Sequence, residues 1–143
     1  MVDALRRICG LVSTTGCVID LHPTSAPALV LVGQRVGGEV DTGGAKLRHQ
    51  AATDAVLAAV RERLVSVDDT SEFDFSVYAD TLDELQQHIH DDWREGHIGE
   101  ATYASTAALL CGTSGARPRV CERVVINRLR LISRASGGRG NTR

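Results

Sequence analysis

Apolar positions along the chain recur at two periods, and the switches between them mark out the elements. Val2, Leu5, Cys9 and Val12 fall at helical spacing, with Arg6 and Arg7 on the other side. Ser13-Thr14-Thr15-Gly16 then favours a turn. Residues 17–21 (CVIDL) follow as a nearly all-apolar run, the pattern of a parallel strand covered on both faces. His22-Pro23 ends that run, because proline cannot extend a central strand. Residues 28–32 and 35–40 predict a β-hairpin turning at Gly33-Gln34, with Gly37-Gly38 marking a bulge or an edge. Residues 45–65 predict the longest helix, with Ala52, Val56, Val60 and Leu64 at helical spacing. Residues 66–71 are polar and read as a loop.

The second half has sharper signals. Residues 72–78 alternate with period two: Phe73, Phe75 and Val77 share one face, and Asp74, Ser76 and Tyr78 the other. Thr81 and Glu84 match a capping box ahead of a helix whose buried stripe is Leu82, Leu85, Ile89 and Trp93, stopped by Gly96. An alanine-rich helix is expected over 100–110. A long strand is expected over 119–132, with an irregularity in its middle. The predicted order is helix, strand, hairpin, helix, strand, two helices, antiparallel strand. It describes one α/β domain over residues 1–133, followed by a disordered basic tail over 134–143.

Composition narrows the class. Aromatic residues are only 3% of the chain, so the core must be built from Val, Leu, Ile and Ala, and Trp93 stands out. No apolar run approaches the length of a membrane span, and the N-terminus has no secretory pattern, which points to the cytoplasm. Cys9, Cys17, Cys111 and Cys121 form no CxxC pair and are expected to be buried free thiols. From Asp68 to Glu100 there are eleven acids and one base; from Arg117 to Arg143 there are eight arginines and one acid, Glu122. Two segments of opposite sign side by side in one sheet would offset each other. The basic segment has no aromatic residue for stacking, which argues against nucleic acid.

VDALRRICGLVSTTGCVIDLHP is similar to the helix, turn and fifth strand of class I S-adenosylmethionine-dependent methyltransferases. EFDFSVYADTLDELQQHIHDDW resembles their sixth strand and a following helix, and RVCERVVINRLRLI their antiparallel seventh strand. The resemblance implies the C-terminal half of a Rossmann-like methyltransferase sheet, beginning partway through the fold. The turn lacks the family's usual proline and paired glycines. The family's cofactor site lies in the first half, and neither Gly37-Gly38 nor Gly43-Gly44 has the GxGxxG pattern that would supply one. No cofactor residue is therefore assigned, and S-adenosylmethionine is expected only if a second half is supplied. The chain is expected to be inactive alone and to assemble as a homodimer, or with a second chain, through the open edge of the residue 17–21 strand. Two other readings remain: a fragment of an active methyltransferase, and a small dimeric α+β ligand-binding module.

Candidate chemistry follows from position. His22 stands at the carboxyl end of the first strand, where open α/β sheets bind ligands, and can act as a general base. Asp20, two residues earlier, points to the same side. Tyr78 and Asp80, at the end of the Phe73 strand, are candidates for the same crevice as substrate-binding residues. His88, His90, Asp92 and His97 are the densest potential ligands. They lie on or beside a capped helix and read as a solvated face, so no metal is expected.

Overall fold

The computed structural model describes residues 2–13 and 15–132. In chain order these form α1 (Val2–Cys9), β1 (Cys17–Pro23), β2 (Leu29–Val32), β3 (Arg35–Asp41), α2 (Ala45–Arg61), β4 (Val65–Tyr78), α3 (Leu82–Asp92), β5 (His97–Ile98), α4 (Glu100–Cys111) and β6 (Pro118–Leu131). The fold is mixed α/β around one open sheet. β6 is its axis. β4 pairs with β6 along its full length, from Val65 opposite Leu131 to Tyr78 opposite Arg119. On the other edge, β6 takes β1 and β2 in tandem, and β2 continues through β3 to β5. Every pairing among the described residues is antiparallel.

Side-chain alternation along β6 divides the core in two. Val120 and Leu129 lie an odd number of positions apart in a ladder without a break on β6, so they face opposite ways. Around Val120, the side chains of Val30, Val40 and Ile98 pack beneath Leu82, Leu85 and Ile89 of α3, with α4 alongside. Around Leu129, Val18 and Val65 pack beneath Val56 and Ala59 of α2, with Leu5 and Cys9 of α1 alongside. Helices therefore cover opposite faces at opposite ends of the β4–β6 ribbon.

Charge settles along the same ribbon. Arg123 binds Asp74 at 2.8 Å, and Arg130 binds Asp68 at 2.8 Å. The acidic and basic segments do lie side by side. Asp68 occupies a bulge between Val67 and Asp69, so the expected irregularity falls on β4 and not on β6.

Several expectations need correction. β1 is not a parallel strand covered on both faces: Val18 is buried, but Ile19 and Leu21 are 55% and 58% exposed. His22 and Pro23 belong to β1 rather than stopping it after Leu21, with Pro23 its last residue, opposite Val124. The residue 66–71 loop is instead the first half of β4, polar because that strand is exposed along most of its length. α2 ends at Arg61, because Arg63 adopts φ 55° and turns the chain so that Val65 is fully buried in the sheet. Gly37 is the extra residue of a β2–β3 bulge, as expected, and β5 pairs with β3 only at Val40 and Asp41. Thr81 caps α3 by accepting from Glu84 N, while Glu84 reaches back to Asp80 N rather than to the cap residue. Cys17 and Cys111 are exposed, Cys9 and Cys121 are half-buried, and none is bridged. The predicted tail over 134–143 lies outside the described residues. No described helix is long and apolar enough to cross a membrane.

Candidate functional site

Alternation along β1 puts Asp20 and His22 on the same side as Val18, beneath α2. His22 Nε2 lies 3.2 Å from Thr53 Oγ1 of α2. His22 Nδ1 lies 3.0 Å from Asp20 Oδ2 but off the hydrogen-bond direction, so the two are close without an aligned bond. Asp20 Oδ2 accepts from Asn127 Nδ2 at 2.8 Å, and Asn127 Oδ1 accepts from Thr70 Oγ1 at 2.9 Å. A polar chain thus crosses β1, β6 and β4. It satisfies the buried Asn127 amide, which would otherwise carry a desolvation cost. Thr53, His22 and Asp20 have the residue types of a nucleophile–base–acid relay. Thr53, however, sits inside a helix, and its hydroxyl is also within 3.5 Å of His49 O. The chemistry this arrangement performs best is tying α2 to β1.

The structure does not bring Tyr78 and Asp80 to this place. Tyr78 stands opposite Arg119 and His22 opposite Val125, about 20 Å apart along β6 at the strand rise. Tyr78 packs under the Arg119 guanidinium, 5.7 Å from its ring centroid, and Asp80 binds Arg117 at 2.7 Å. His88 and Asp92 pair at 2.7 Å on one face of α3, and His97 faces Asp41 at 3.7 Å. Among the described residues no group of three suitable side chains could hold a metal ion.

A cleft of about 600 Å³ opens between the loop after β1, the end of β3 and the first turn of α2. It shares Thr42, His49 and Glu122 with a smaller cavity of about 170 Å³ that reaches Trp93. His49 Nδ1 lies 3.1 Å from Thr24 O, which can only accept, so Nδ1 carries the proton and Nε2 is the free acceptor of the neutral ring. Burial lowers the His49 pKa, the Thr24 bond opposes this, and the Arg48 charge adds to the lowering. Burial raises the Glu122 pKa. Sequence reasoning missed both residues as a pair. Glu122 was conspicuous only as the lone acid of an arginine-rich segment, and His49 gave no signal.

Glu122 makes a pH prediction. Its folded carboxyl holds a proton more tightly than the unfolded one, so its stabilising contribution is present at acid pH and is lost as pH rises through the raised pKa. Glu122→Gln should melt with the native protein at acid pH and above it near pH 7, in a calorimetric series of Tm against pH. A Tm difference that does not change with pH would contradict this.

The glycine pairs offer no cradle for S-adenosylmethionine. A Cβ on Gly37 or Gly38 would strike Thr106 or Thr102 of α4, so this pair serves strand–helix packing. The Gly43 amide is already bonded to Asp41 Oδ1 at 2.9 Å. No protein-family model, curated protein or solved structure matches this chain.

Proposed function

We propose that the chain is a methyltransferase-like α/β protein with no S-adenosylmethionine site of its own, inactive alone and working in assembly with itself or a partner. The observation that carries this reading is the state of β1. Among the described residues it pairs with β6 on one edge and with no strand on the other. An unpaired edge presents N–H and C=O groups to which a further strand can add. β6 runs antiparallel to both β1 and β4, which therefore run in one direction. The resemblance to the methyltransferase family implies such an antiparallel last strand. The Asp20–His22 pair lies toward the carboxyl end of β1, where a neighbouring strand would bring further groups.

Calorimetry with S-adenosylmethionine tests the reading. The chain alone should give no binding heat. Saturable binding by the chain alone would overturn it.

A further inference from the structure

We infer that the cleft at Glu122 and His49 binds a small organic cation: a primary alkylammonium compound whose N–H groups bond to the Glu122 carboxylate and to His49 Nε2, beside Trp93. The site stands whether or not the chain is methyltransferase-like.

Sheet topology opens the cleft. β6 pairs with β2 through Cys121 and with β1 from Val124 onward, so Glu122 and Arg123 stand at the gap between the two. The loop leaving β1 is tied across this gap by Thr24 N, which donates to Arg123 O at 2.8 Å. The cavities of about 600 and 170 Å³ meet at Glu122, which lines both together with His49. The larger one is of a size that takes a small molecule.

Glu122 lacks a counter-charge. Its side chain is half-buried, and among the described residues it has no hydrogen bond and no ion pair. Arg123, next in sequence, is taken by Glu72 and Asp74, and Arg48 lies 3.7 Å from Glu95. Lys46 and Arg94 also line the cavities, but neither comes within ion-pair distance of Glu122. The other acids differ: Asp41 holds Gly43 N, Asp92 holds His88, and Glu39 is exposed to water. A carboxylate removed from water without a partner is costly, which is why burial raises the Glu122 pKa. A bound ammonium offsets that cost and keeps the carboxyl ionised.

The lining selects the ligand. His49 Nδ1 gives its proton to Thr24 O, so Nε2 of the neutral ring accepts, and burial favours the neutral ring. Two acceptors at one place call for a donor with several N–H groups. In the larger cavity Glu39, Asp41 and Glu122 outnumber Lys46, which disfavours an anion. In the smaller one Arg48 and Arg94 are balanced by Asp92 and Glu122. A metal ion is disfavoured as well, because no group of three suitable side chains among the described residues could hold it. Trp93 packs against the α3 core and lines the smaller cavity with Pro23 and Ala45. An aromatic ring attracts an organic cation, and the aliphatic walls suit its methylenes.

Titration calorimetry on the full chain near pH 7 tests this with butylamine, cadaverine and glutarate. Glutarate has the carbon-chain length of cadaverine and the opposite end charges. Both amines should bind saturably, and glutarate should not. Glu122→Gln keeps the side-chain shape and should weaken both amines at least about tenfold, the loss of one charge-assisted partner. Its circular dichroism should be unchanged. No saturable heat from either amine, binding of glutarate instead, or amine binding indifferent to Glu122→Gln would overturn the inference.

Discussion

Leu129→Ala is expected to lower the unfolding free energy by about 2–5 kcal/mol. Leu129 is fully buried and packs with Val18, Val56, Ala59 and Val65. Every one of those neighbours is smaller than leucine, and three of them belong to the sheet itself or to the alanine packed on it. A strand in a continuous ladder cannot slide inward to fill the space, because its hydrogen bonds fix its position. The cavity therefore persists, and its lining loses dispersion contacts as well as transfer free energy. A urea titration with an unchanged m-value would measure the loss, and the Tm should fall by roughly 10 °C. Leu47→Ala serves as the control: that residue is 77% exposed and should change stability by no more than about 0.5 kcal/mol. A loss below about 1 kcal/mol at Leu129 would mean that this half of the core is loosely packed.

Gly37→Ala should cost about 1–3 kcal/mol, although it adds a single methyl group. That Cβ would overlap Thr106 Oγ1 and lie 3.0 Å from Thr106 Cβ. Thr106 is fully buried, and its hydroxyl is held by Thr102 O at 2.7 Å, so it has nowhere to turn. α4 would have to lift off β3. Thr106→Ala removes the closest atom, so the double variant should be more stable than Gly37→Ala alone. That is strong non-additivity between residues in contact. Denaturation of the two single variants and the double variant gives the coupling directly. Additive losses would show that the helix does not rest on the strand at this point.

The parts of this fold that could be read from the chain are those settled within a few residues. Thr81 meets Glu84 one turn away, and the alternation of Phe73, Phe75 and Val77 states its own face. The Asp20–His22 proximity also followed from strand alternation alone. What could not be read depends on distant partners. Residues 66–71 look like a loop because half of what makes them a strand is the arginine-bearing β6, more than fifty positions away. β5 is two residues long and exists because β3 lies beside it. Thr53 and Asn127 join His22 and Asp20 through contacts that no local pattern encodes, and the same holds for the meeting of His49 and Glu122 at one cleft. Helix α2 was over-extended because Leu64 continues the helical spacing, while the backbone at Arg63 had already turned.

The place of β6 in the chain has a consequence for biosynthesis. β1 and β4 take their strand pairing from this one strand, β2 is paired by it on the edge away from β3, and it is the last described element to be made. Until residues 118–131 emerge from the ribosome, neither half of the core can close and three strands wait with their edges bare. Most pairings then form at long sequence separation, which slows folding and lengthens the time those edges stay open to other chains. While residues 17–117 are being made the sheet stays uncompleted, and it closes only when β6 joins it.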